Sequence, residues 1–252
     1  MDHSSKIRLV DGATTAVLFI HGILGTPRHF SHILPLVDHV PENVSYYNLQ
    51  LPGHGGTVGD FSKSSMEQWK YAAREAFTSL ASTHDHVVIV GHSMGTLFAL
   101  QLAMEHPEKV PLLFLIAAPI RPWVSLQGMG CCLRASFGRL REDRPGEMAI
   151  VRAGGTKLTP RLWQYIPWAP HMIALLRLAK ETEKLLPRLD TKTIVFQSRR
   201  DEMVALRSGE ILKGCPGVRL TTLPDSTHFY YPDEECKIVC SAFAEALTRL
   251  VP

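Results

Sequence analysis

Ser93 lies in Gly91-His92-Ser93-Met94-Gly95, between the apolar run Val87-Val88-Ile89-Val90 and a stretch with apolar residues at Leu97, Leu100, Ala103 and Met104. The run reads as a buried strand and the later spacing as a helix, so the serine falls on a strand-to-helix turn. A turn this tight holds its central residue in a strained backbone conformation, and the flanking glycines let strand and helix close around it. The strain exposes the hydroxyl. G-x-S-x-G in this setting is a nucleophile elbow, and the chemistry expected of it is attack on a carbonyl carbon.

A serine hydroxyl needs a general base within reach and a carboxylate to orient that base. Position selects the base among twelve histidines: His228 follows the apolar run 218–223 in the loop Pro224-Asp225-Ser226-Thr227-His228. Asp201 follows the run 193–197 through Ser198-Arg199-Arg200, at the carboxyl end of a core strand, where catalytic groups gather in open α/β sheets. It is the preferred acid. Glu202 is one residue further on, and Asp225 suits a turn or cap better. The charged intermediate needs backbone N–H donors. Met94 supplies one from the start of its helix, and Ile23 the other from the loop His21-Gly22-Ile23-Leu24-Gly25. His21 and His92 read as structural residues that satisfy backbone groups near these turns.

Apolar runs at 7–10, 16–20, 44–49, 87–90, 112–116, 193–197 and 218–223 alternate with helical segments at about 27–37, 65–82, 94–105, 206–213 and 233–250. That order predicts an α/β fold with a mostly parallel central sheet and helices on both faces. The alternation breaks between 119 and 188, where prolines recur and a helix over 171–186 is the clearest element. We read 1–118 and 189–252 as the core and 119–188 as a helical cap. From Arg121 to Arg188 there are 12 Arg and Lys against 5 Asp and Glu, a balance of +7, which leaves −4 for the rest of a chain whose net charge is +3. Trp123, Trp163 and Trp168 fall in the cap. Trp163, Trp168 and Phe137 are its candidate substrate-binding residues, with Leu126, Met129, Leu162, Ile166, Met172 and Leu176 as further apolar wall or packing. The basic, tryptophan-rich character would also suit contact with an anionic lipid surface.

The slight net charge and the lack of a basic run argue against nucleic acid as a partner. Neither a secretory signal nor a membrane-spanning run is recognisable. Five cysteines in irregular spacing suggest neither a disulfide framework nor a zinc site, and Cys236 and Cys240 read as small apolar residues on one helix face. A reduced, cytoplasmic protein is expected.

With elbow, oxyanion loop, acid and base in this order, the chain resembles the α/β-hydrolase superfamily over nearly its whole length. It is most similar to small-capped bacterial carboxylesterases and monoacylglycerol lipases. His21-Gly22-Ile23-Leu24-Gly25-Thr26-Pro27 looks like that group's oxyanion loop, although an aromatic residue is common there in place of Ile23. Leu51-Pro52-Gly53-His54-Gly55 matches a turn widespread in the superfamily. The stretch from Gln197 to Val204 looks like its acid loop, and Ser226-Thr227-His228 like its base loop. The resemblance implies hydrolysis of a small-molecule carboxylic ester or a monoacylglycerol through an acyl-enzyme, without metal or organic cofactor. Thioester, lactone or carbon–carbon hydrolysis and acyl transfer are the alternatives the same residues would serve, and a non-catalytic binding protein is a further one.

Overall fold

The computed structural model describes residues 4–39, 44–122 and 125–250. Seven strands form one sheet: β1 (Lys6–Arg8), β2 (Thr15–Ile20), β3 (Val44–Leu49), β4 (His86–His92), β5 (Leu112–Ile116), β6 (Lys192–Ser198) and β7 (Val218–Leu223). Their order is β1-β3-β2-β4-β5-β6-β7. Only β1 runs antiparallel, on β3; every other pairing is parallel. All seven expected strands are present.

A parallel sheet covered on both faces needs strands that are apolar throughout. Every residue of β2 and of β5 is buried accordingly. Alternate residues divide between two cores. Leu18, Ile89 and Leu115 pack beneath α2 (Met66–Ala81) and α3 (Met94–Glu105), whereas Phe19, Val90 and Phe114 face α8 (Asp233–Thr248) on the other side. A short α1 (Val58–Ser62), absent from the sequence expectation, is held by a reciprocal cap between Thr57 and Asp60.

The expected helix over 27–37 is instead two 3₁₀ pieces, Pro27–Phe30 and Leu34–His39. Pro35 has no N–H to return to the carbonyl of Ser31, so an α-helical ladder cannot run through it. Between β5 and β6 lie α4 (Leu126–Ser136), α5 (Pro145–Ala153), a 3₁₀ stretch Leu162–Trp168, α6 (Ala169–Leu185) and a last 3₁₀ turn Leu186–Arg188. Glu147 ties α4 to α5 by accepting from Arg134 and from Arg141, at 2.6 and 2.8 Å. Trp123 lies outside the described residues. Before β7 comes α7 (Arg207–Lys213). Among the described residues no helix is long and apolar enough to cross a membrane. The cysteines are all unpaired; Cys236 and Cys240 are half-buried rather than core, and the Cys240 thiol donates to the His32 carbonyl at 3.4 Å.

Candidate active site

Parallel pairing brings the ends of β2, β4, β6 and β7 to one edge, as the register pairs Ile20 with Gly91 and Ser198 with Leu223 show. Four loops therefore converge there. Ser93 sits between β4 and α3 with φ 51° and ψ −126°. A side chain at Gly91 would stand 2.7 Å from the Thr96 Cα, and one at Gly95 only 1.9 Å from the Ile20 carbonyl oxygen. Both positions require glycine. The strained residue is pinned by its own N–H donating to Ile116 at 2.9 Å, and by the Thr96 hydroxyl donating to its carbonyl at 2.7 Å. Such strain costs about 1–3 kcal/mol and persists only where the surroundings fix it this way.

His228 and Asp201 meet at the same edge. The imidazole Nδ1–H donates to Asp201 Oδ2 at 2.8 Å, and both side chains are buried. Asp201 Oδ1 accepts the N–H groups of Met203 and Val204, each at 2.8 Å, so the carboxylate is held at both oxygens. Burial alone would favour a neutral ring, but the charge and hydrogen bond of Asp201, with the charge of Glu202, raise the His228 pKa above its ordinary value. Because Nδ1 carries the shared proton, Nε2 is the basic nitrogen. No hydrogen bond joins Ser93 Oγ to His228 among the described residues.

The other two carboxylates do different work. Glu202, buried and with its pKa raised by that burial, accepts the backbone N–H of His228 at 3.2 Å. Asp225 is exposed and pairs with Arg200 at 2.8 Å. The His228 carbonyl accepts from His92 Nε2–H at 3.0 Å and from the Tyr231 hydroxyl at 3.4 Å. Glu235, at the start of α8, accepts the N–H groups of Asp225 and Ser226, each at 2.8 Å, and the Ser226 hydroxyl. The loop 224–228 is thus clamped through its backbone by Glu202, His92 and Glu235. His92, expected to satisfy groups near its own turn, instead has its partner 136 residues away. Glu235 carries no sequence signal beyond being an acidic residue in the first turn of the closing helix.

The loop after β2 closes a turn from Gly25 N–H to the Gly22 carbonyl at 3.1 Å, with Leu24 at φ 58°. A side chain on Gly22 would stand 2.7 Å from Ser93 Cβ and 3.3 Å from Ser93 Oγ, so this backbone lies directly against the serine. Ile23 follows it, and Met94 opens α3, where an N–H has no acceptor within the helix. His21 orders the loop: its Nδ1–H donates to Gly22 at 2.8 Å, and its Nε2 accepts from Leu51 at 3.1 Å, which joins this loop to the Leu51–Gly55 turn. His54, His21, His29, His92 and His228 then follow one another ring to ring, with centroids 5.0, 6.0, 4.7 and 4.9 Å apart.

Trp168 is buried and its indole N–H donates to Ser62 Oγ at 3.0 Å and to the Val58 carbonyl at 3.3 Å, which fastens the segment between β5 and β6 to α1. Trp163 and Phe137 are exposed. Two cavities flank the loop that carries His228. One of about 470 Å³ is lined by His29, His92, Arg152 and Phe229, and another of about 540 Å³ by Asp201, Glu202, Arg144 and Thr227. Pro145 and Tyr230 line both. Among the described residues no three His, Cys, Asp or Glu side chains are grouped to hold a metal ion.

Residues 17–240 match the Alpha/beta hydrolase family. A stretch of 100 residues, 40% of this chain, is 34% identical to 36% of a pimeloyl-[acyl-carrier protein] methyl ester esterase from Aromatoleum aromaticum. Another of 118 residues, 44% of the chain, is 28% identical to 39% of a pyrethroid hydrolase from Sphingobium wenxiniae. The matches thus span well under half of either relative. Among solved structures, one from work on LipS and LipT, two metagenome-derived lipolytic enzymes, superposes with TM-score 0.70 at 21% identity, over 98% of both chains. Est1E from Butyrivibrio proteoclasticus, with ferulic acid bound, gives 0.64 at 18% identity over 98% of this chain and 94% of its own. The peroxisomal alpha-beta-hydrolase Lpx1 of Saccharomyces cerevisiae gives 0.64 at 15% identity, over 94% and 78%. The match over residues 17–240, on a sheet of this order with a strained serine at its carboxyl edge, means that the chain belongs to the alpha/beta hydrolase family.

Proposed function

We propose that the chain hydrolyses carboxylic esters as a serine hydrolase, with Ser93 as nucleophile, His228 as base and Asp201 as the acid that orients it. The observation that carries this reading is the buried pair of His228 and Asp201 at 2.8 Å, on the edge where Ser93 is held strained. Ser93 Oγ bonds to the ester carbonyl carbon as its proton passes to His228 Nε2. The oxyanion is met by the N–H groups of Ile23 and Met94. Collapse breaks the ester C–O bond, and His228 returns the proton to the departing alcohol. Water then gives a proton to His228 as it attacks the acyl carbon, and His228 returns that proton to Ser93 Oγ as the Ser93–acyl bond breaks and the acid leaves. In this reading the hydrogen bond from Ser93 Oγ to His228 Nε2 forms when substrate binds.

Residues 119–188 act in this reading as a cap over the site. The substrate is a small ester, of the carboxylesterase or monoacylglycerol type; both curated relatives are named for esters or for a hydrolase. Five unpaired thiols fit the reducing cytoplasm as its compartment. A fluorophosphonate probe tests the mechanism: wild type should label and Ser93→Ala should not. Equal labelling of both would remove the claim. Hydrolysis of p-nitrophenyl esters of rising chain length, beside monoacylglycerols, tests the substrate; labelling without turnover of any of them would point to thioester, lactone or transfer chemistry.

A further inference from the structure

The segment between β5 and β6 turns an apolar face to solvent. Leu126, Met129 and Leu133 of α4, and Phe137 at its C-cap, follow one another at spacings of three, four and four residues. At roughly 100° per residue they fall within an arc of about 80°. All four are exposed, Leu126 by 84%. The opposite side of the helix is the one that packs: Cys131 is buried, and a side chain on Gly128 would stand 2.8 Å from the Glu202 carbonyl oxygen. This is an amphipathic helix with its apolar stripe outward, so it lacks the partner such a stripe normally has.

The face extends past α4. The Tyr165 hydroxyl donates to Ser136 Oγ at 3.2 Å, which sets the 3₁₀ stretch Leu162–Trp168 beside the end of the helix, and there Leu162, Trp163 and Ile166 are exposed. Of fifteen exposed large apolar side chains among the described residues, ten fall between 119 and 188. That concentration separates the patch from ordinary scattered surface residues. Arg139, two residues past Phe137, and Arg161, next to Leu162, are exposed beside it, in the stretch that carries 12 cations against 5 acids.

We propose that this face docks on an anionic lipid surface. The α4 stripe with Trp163 and Ile166 enters the boundary between headgroups and acyl chains, and the flanking arginines reach the headgroup charges while their stems cover apolar area. The charge decides the occupant. A second copy of the chain would bring the same positive balance against itself, whereas an anionic bilayer complements it.

The test is co-sedimentation of the purified full chain with vesicles of phosphatidylcholine alone, or with about a third phosphatidylglycerol. Wild type should bind the anionic vesicles, bind the neutral ones at least about tenfold more weakly, and release with salt. Arg161→Ala should weaken binding by about fivefold, the effect of one cation near the surface. Leu133→Glu with Arg139→Glu should abolish binding and leave hydrolysis of a soluble short-chain ester and probe labelling unchanged, which separates docking from catalysis. Absence of binding, equal binding to both vesicles, or binding kept by the double variant would overturn the proposal. So would a wild-type dimer in solution that the double variant dissociates.

Discussion

Burial holds five of the ring-to-ring and neighbouring imidazoles neutral, and this makes the fold sensitive to mild acid. His21, His29 and His92 have pKa values well below the ordinary histidine value, first through burial and then through the neighbouring imidazoles. Burial lowers His32 and His54 to about 4. In the unfolded chain each takes up a proton near pH ~6.5, so between the two values the unfolded state binds more protons and stability falls as pH falls. The effect is absent above about pH 6.5 and grows by about 1.4 kcal/mol per pH unit and per histidine. At pH ~5, His32 and His54 together remove about 4 kcal/mol, from a total that for a domain is about 5–15 kcal/mol. The other three add in the same direction. His228 opposes them: its raised pKa contributes stability that is full below about pH 6.5 and is lost as pH rises through the folded value. Urea unfolding followed by far-ultraviolet circular dichroism at about pH 8, 7, 6 and 5 should show a loss of at least about 4 kcal/mol, and His32→Asn with His54→Asn should recover about that much of it at pH ~5. A wild-type curve flat to about 1 kcal/mol over this window, or an unchanged slope in the double variant, would refute the reasoning.

The three carboxylates near His228 should separate kinetically. Asp201→Asn should lower kcat on the order of 10⁴-fold, since the amide leaves His228 in the wrong tautomer, while Asp225→Asn, at the exposed pair with Arg200, should stay within about threefold. Glu202→Gln keeps an oxygen for the His228 N–H and should fall between them; steady-state rates on one soluble ester decide the order, and a larger loss at Asp225 would reverse the assignment. Glu147→Gln should loosen α4 from α5 at a cost of about 1–3 kcal/mol, because Arg134 and Arg141 share that buried carboxylate. Hydrogen bonds from Arg134 and Arg141 hold the Glu147 pKa down at about 2 despite its burial, so its contribution is present above pH ~4.5 and is lost as pH falls toward that value. Hydrogen exchange confined to 126–153 would report it, and unchanged protection there would count against the tie.

The core was legible because its chemistry repeats along the chain. β2 and β5 are apolar on both faces, so no choice of face had to be made, and parallel pairing then brings their following loops to one edge without further information. Ser93 stands out by its G-x-S-x-G turn, and Asp201 and His228 are its candidate partners because their loops follow β6 and β7 to that edge. The backbone clamp was harder to see, because Glu202, His92 and Glu235 act on N–H and carbonyl groups of His228, Asp225 and Ser226, and a backbone acceptor leaves no mark in residue type. In the segment between β5 and β6 the difficulty is different. Periodicity identifies that Leu126, Met129, Leu133 and Phe137 share a face, but it carries no sign for the direction of that face. The usual assumption turns an apolar stripe inward. Here the side with the small residues packs instead, because Gly128 lets the helix backbone approach the Glu202 carbonyl more closely than any leucine would. Helix orientation in such a segment follows from where the backbone can come closest, and the apolar stripe left outside is then what needs a partner.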